Sequence, residues 1–114
     1  MKIGIIGAGA SGLCLARLLE TTEHQVDIYE KNSILGKKLL ITGKGRCNVI
    51  NNSTPEIFLE KVKRGKNFFK STIYSYTPEF IYQYFESNGL PLKTERGNRV
   101  FPVSDKSSDV VDFF

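Results

Sequence analysis

Gly7, Gly9 and Gly12, in the run Gly7-Ala8-Gly9-Ala10-Ser11-Gly12, are the residues whose type and spacing point first to chemistry. A GxGxxG run takes up a pyrophosphate when it joins a strand to a helix. Gly7 lets the chain turn tightly out of the strand. Gly9, with no Cβ, lets backbone approach the phosphates, and Gly12 lets the helix pack closely on the strand. The first amides of a helix starting near Ser11 have no internal partners. They face the phosphates at the positive end of the helix dipole. Glu30 stands about 20 residues further on, where a dinucleotide fold places an acid against a ribose. Ionised, it accepts hydrogen bonds from ribose hydroxyls and repels a 2′-phosphate, which disfavours NADP here. The alternative is a glycine-bearing turn with no ligand and Glu30 as a solvated strand end.

These residues need particular elements around them. The apolar run Lys2-Ile3-Gly4-Ile5-Ile6 predicts a strand before the glycines, and Leu13 to Glu20 predicts a helix after them. Gln25-Val26-Asp27-Ile28-Tyr29 predicts a second strand, which ends at Glu30. The stretch Lys31 to Asn48 is rich in glycine and base and poor in helical periodicity, so it is expected to be an extended functional loop. Gly43 and Gly45 flank Lys44, which makes the backbone permissive there. Arg46 adds a planar donor fork suited to phosphate or to a carbonyl-rich ring edge. A flexible loop with dispersed charge is the competing reading.

Further on, Ser53-Thr54-Pro55-Glu56 and Thr77-Pro78-Glu79 are helix starts, each a hydroxyl cap before proline. Phe68, Phe69, Ile73 and Tyr76 predict a short helix between them. Phe80, Ile81, Tyr84 and Phe85 form an apolar stripe that Asn88-Gly89 ends. Leu92–Glu95 and Arg99–Phe101 flank Arg96-Gly97-Asn98 and read as a β-hairpin. Pro102 marks its second strand as an edge or as ending there. Ser107 or Ser108 is expected to cap a last helix that begins at Asp109.

The 114 residues are 40% hydrophobic and 25% charged, which suits a globular domain. No apolar run is long enough to span a membrane. The N-terminus lacks a basic segment and a small-residue cleavage site, so the chain reads as cytoplasmic. Cys14 and Cys47 suggest neither a disulfide framework nor a metal site. His24 lies in a turn and is read as a surface residue. The net charge is +4. One basic group, Lys31, Lys37, Lys38, Lys44 and Arg46, is placed to meet an anionic cofactor. The other, Lys61 to Lys70, reads as a solvated helix face, and no nucleic-acid-binding motif is present.

The combination of Gly7–Gly12, Tyr29-Glu30-Lys31 and Leu35-Gly36-Lys37-Lys38 through Gly43-Lys44-Gly45-Arg46-Cys47-Asn48 resembles the BaiN-like flavoproteins. These are NAD(P)/FAD-dependent oxidoreductases of the aminoacetone-oxidase type. Lys93 to Asp105 is similar to the hairpin signature of that family. The resemblance implies FAD in the first nucleotide site, with NAD(P)H as an electron donor to the whole enzyme. It implies that Gly7, Gly9, Ala10, Ser11 and Gly12 meet the pyrophosphate. Glu30 holds the adenosine ribose, and Lys31 lies beside the adenosine half. Lys37 and Lys38 stand where relatives put a base near the cofactor, and Gly45, Arg46, Cys47 and Asn48 lie toward the flavin. The fold expected is α/β, the N-terminal part of a Rossmann-like FAD-binding domain.

Family members are longer, so residues 1–114 are expected to be a partial domain. The rest of that domain and the substrate domain lie elsewhere. No acid, base or nucleophile here is a compelling catalyst, and the substrate is not readable. A remnant with weak or no cofactor binding and an NAD-binding Rossmann domain are the competing readings.

Overall fold

The computed structural model describes residues 1–114. The chain divides into two compact units, one of Met1–Cys47 with Asp105–Phe114 and the other of Asn48–Ser104.

In the first unit, β1 (Lys2–Ile6) and β2 (Gln25–Tyr29) run parallel, with Lys2 opposite Gln25 and Ile6 opposite Tyr29. Parallel neighbours need a crossover, and α1 (Ala10–Leu19) supplies it. The expected strand, glycine turn, helix and strand are therefore all present. Ile5, Ala8, Leu13, Cys47 and Val110 are the buried apolar residues of this unit. At the far end of α1, Arg17 pairs with Glu20 and lies over the Phe113 ring, 5.4 Å from its centroid.

The segment expected as an extended loop after Glu30 is partly helical. It holds α2 (Lys37–Ile41) and a tight turn at Thr42–Gly45, where Gly43 and Lys44 are left-handed. A helix of five residues is not stable on its own. It forms because α6 (Ser107–Phe113) packs against it. The expected serine cap of α6 is also revised. The helix starts at Ser107 and Lys106 is its N-cap, with no side chain capping the first turn. The Ser107 hydroxyl donates instead to the Leu40 carbonyl at 2.8 Å, so a tertiary acceptor has taken the capping group.

The second unit contains α3 (Pro55–Lys61), α4 (Lys66–Ser75) and α5 (Pro78–Ser87). Thr54 and Thr77 cap α3 and α5 as their sequences predict, accepting from the amides of Ile57 and Phe80. The hairpin pairs β4 (Leu92–Glu95) with β5 (Arg99–Pro102), and Arg96–Asn98 makes the turn.

The strand β3 (Ile50–Asn51) was not foreseen. It pairs antiparallel with β5, so β5 is the central strand of three. Pro102 therefore ends its strand, as expected, but does not lie on an edge strand. The sheet tolerates it because β3 stops opposite Val100, so no β3 carbonyl waits for an amide at position 102. Val100, Phe101 and Pro102 are the most deeply buried part of this unit.

Candidate nucleotide-binding site

The glycine loop leaves β1 through Gly7, whose φ of +94° and amide bond to the Tyr29 carbonyl at 2.8 Å make the tight turn. The first bond of the α1 ladder runs from the Leu13 amide to the Gly9 carbonyl, 2.9 Å. The amides of Gly9, Ala10, Ser11 and Gly12 all precede it, and they are the unused donors of the helix start.

The glycines at positions 9 and 12 do different work. A Cβ on Gly12 would lie 2.0 Å from the Gly7 carbonyl oxygen, so that position must be bare for the helix to dock. A Cβ on Gly9 would meet nothing within 4 Å. No protein atom demands glycine there. The space over Gly9 is what a close-lying phosphate would fill.

Both sides of the Ala8 peptide are fixed. Its amide donates to Glu30 Oε2 at 2.8 Å, and its carbonyl accepts from the Gly36 amide at 2.8 Å. The loop is thus held by the end of β2 and by the start of α2. Ala8 itself is almost fully buried. Glu30 is gripped from its other side as well. Its Oε1 accepts from the Asn32 backbone amide at 2.8 Å and from Asn32 Nδ2 at 2.6 Å.

The Ala8 amide, and after it the Asn32 amide and side chain, hold the Glu30 carboxyl below its usual value of 4.5. Partial burial opposes them without prevailing. Glu30 is therefore an anion at neutral pH, and Oε2 keeps a lone pair for a further donor. Ile6, Gly7, Ile28, Tyr29, Glu30, Lys31 and Asn32 line one open recess at the ends of the two strands. The carboxyl ends of parallel strands are where open α/β sheets take their ligands.

The remaining expected site residues are more spread out. Lys37 and Lys38 sit exposed on α2. Gly45 is left-handed, with nothing near its Cβ position. Arg46 directs Nη1 at Asp105 Oδ1, 3.2 Å away. Cys47 is buried, with a left-handed backbone whose amide bonds the Thr42 carbonyl at 3.0 Å. Asn48 begins the second unit, and its side-chain oxygen accepts from the Val100 amide at 3.2 Å.

Sequence reasoning brought together the glycine loop and Glu30, and the fold does the same. It missed Asn32, Gly36 and Asp105. Asn32, two residues after the acid in a turn-forming segment, was the one with a readable signal.

The model of the HI0933-like protein Rossmann domain matches residues 1–114. The chain is 37% identical over 115 aligned residues to the 3-dehydro-bile acid delta(4,6)-reductase of Clostridium scindens. That alignment covers 97% of this chain and 27% of the reductase. It is 36% identical over 74 residues to the ribosomal RNA dihydrouridine synthase of Haemophilus influenzae, covering 64% of this chain and 18% of the synthase. A shorter stretch of 39 residues is 44% identical to the 4,4'-diapophytoene desaturase of Staphylococcus aureus, covering 34% of this chain and 8% of the desaturase. The chain spans about a quarter of the length of the bile acid reductase it matches. The resemblance carried by the glycine loop and the Gly36–Asn48 stretch thus extends over every residue, and the chain belongs to the HI0933-like Rossmann domain family.

Proposed function

We propose that residues 1–114 bind the ADP half of FAD and form the first cofactor-binding segment of a flavin-dependent oxidoreductase. The observation that carries this reading is the joint geometry of the loop and the acid. Four unused amides, Gly9 to Gly12, open beside an empty Cβ position at Gly9, and an ionised Glu30 is bound to the same loop through Ala8. The amides suit a pyrophosphate and the carboxylate suits a ribose diol. An anionic acid at that place disfavours a 2′-phosphate. The names of the relatives, a reductase, a dihydrouridine synthase and a desaturase, support redox chemistry at carbon.

Bound there, FAD supplies the electron chemistry, and the chain supplies binding, orientation and charge. Gly9, Ala10, Ser11 and Gly12 hold the pyrophosphate, and Gly7 sets the turn that aims them. Glu30 takes a ribose hydroxyl, and Lys31 lies beside the adenosine. Lys37 and Lys38 contribute positive charge, while Gly45, Arg46, Cys47 and Asn48 belong to the flavin side. The substrate, an NAD(P)H donor and a cytoplasmic location belong to the whole enzyme and stand as part of the same proposal.

Titration of the chain with FAD, followed by quenching of flavin fluorescence, tests the reading. Saturable binding that weakens in Glu30→Ala is the expected result. Binding of NAD without FAD would favour a different dinucleotide enzyme. A folded chain that binds neither would remove the proposal.

A further inference from the structure

Glu30 is no free carboxylate, because three protein donors already hold it. The Ala8 amide takes Oε2, and Asn32 takes Oε1 twice, through its backbone and through its side chain. The geometry points to Asn32 as the positioning residue of the site: it turns Oε1 away from the ligand and presents Oε2 to the ribose, although Asn32 itself makes no bond to the loop. This inference rests on the nucleotide-binding reading above and names a residue that the reading does not need.

A carboxylate oxygen accepts about two hydrogen bonds in its plane. With Asn32 in place, Oε1 has two donors and Oε2 has one. The free lone pair then lies on the oxygen that is tied to the glycine loop, so the ribose and the pyrophosphate are read from one rigid frame. Without the Asn32 side chain, Oε1 regains a lone pair, one amide is left on each oxygen, and the two oxygens compete for the ribose. Asn32 sits exposed in the turn after β2, and its side chain has no other bond. Holding Glu30 is the task its position leaves it. The other titratable groups lining this recess are Tyr29 and Lys31; β1 and the loop contribute only Ile6 and Gly7.

The test compares the affinity of the chain for ADP and for 2′-deoxy-ADP. The unmodified chain prefers ADP, and Glu30→Gln loses the preference. Asn32→Ala is expected to reduce the preference by about threefold to tenfold, the scale of one misaligned hydrogen bond to a charged group. Asn32→Ser, which keeps a short donor able to bond its neighbours, restores most of it. In the Glu30→Gln background, Asn32→Ala changes nothing further.

Carboxyl NMR of Glu30 without ligand gives an independent reading, because the titration midpoint rises in Asn32→Ala and returns in Asn32→Ser. An Asn32→Ala chain that keeps both the ADP preference and the midpoint overturns the inference while leaving the nucleotide-binding reading intact. An unmodified chain that binds no ADP overturns that reading and this inference together.

Discussion

Gly9 and Gly12 look alike in the sequence but answer to different constraints, and substitution separates them. A methyl group at position 12 would meet the Gly7 carbonyl at 2.0 Å, a backbone atom that cannot swing aside. Gly12→Ala should destabilise the chain by about 1–3 kcal/mol, as an overpacked contact does, and should lose nucleotide binding with it. Gly9→Ala meets open space, so thermal unfolding should move by no more than about 0.5 kcal/mol. Its affinity for ADP should nevertheless fall on the order of tenfold, about 1.4 kcal/mol. Equal stability losses in the two variants, read from denaturant melts, would contradict this division of labour. Glu30 adds a pH signature. Its carboxyl is held down in the folded chain, chiefly by the Ala8 amide. The stability it confers is therefore complete above the ordinary carboxylate value and is lost as pH falls through the lower folded value. The gap in unfolding midpoint between the native chain and Glu30→Gln should be constant near neutrality and shrink below pH 4.5.

Among the elements, α2 and α6 depend on each other in a way that their sequences hide. The hydrophobic runs made β1, α1 and β2 legible, and the Thr-Pro-Glu signals made α3 and α5 legible, because these elements follow from local periodicity and capping. Lys37–Ile41 has no side-chain cap and only about one turn of helix. Its N-cap is Gly36, in a left-handed conformation, and its stability comes from α6, which lies far along the chain. The two residues of β3 are equally silent, since their strand character is conferred by β5. The glycine loop and its acid are readable at the site, and the turn-forming place of Asn32 is a signal for its role, but the Gly36 tether of Ala8 and the Asp105 partner of Arg46 are not. Those contacts are set by how the ends of elements meet.

Gly36 is the residue by which to probe this packing. A Cβ there would lie 2.7 Å from one Val111 methyl carbon and 3.1 Å from the other, with the backbone at φ +60°. Gly36→Ala should cost about 1–3 kcal/mol from strain and overlap together. Ser107→Ala, which strips the Leu40 carbonyl of its donor, should cost about 1 kcal/mol. A double variant that costs the plain sum would mean that the two contacts do not share one interface.

At the scale of the whole molecule, the first unit is discontinuous, since Met1–Cys47 is completed by Asp105–Phe114. Every group proposed to hold the ADP moiety, Gly7 to Gly12, Glu30 and Lys31, lies within that unit together with Asn32, whereas Asn48–Ser104 forms the other. Their convergence exists only when β1 and β2 are paired and α1 is docked, so an unfolded chain offers no equivalent site. Ligand binding must therefore raise the unfolding midpoint through mass action. At a free ADP concentration a hundred times the dissociation constant, the gain is about 2.7 kcal/mol. For a chain of this size that corresponds to a rise on the order of 10 °C. The rise should grow with the logarithm of ADP concentration and shrink in Glu30→Gln at matched concentrations. It should survive in Thr77→Ala, which lowers the starting midpoint by removing the cap of α5 in the other unit. Differential scanning calorimetry across an ADP series measures all three. A midpoint that ADP does not move, in a chain that unfolds cooperatively, would mean that the loop and the acid hold each other and hold no nucleotide.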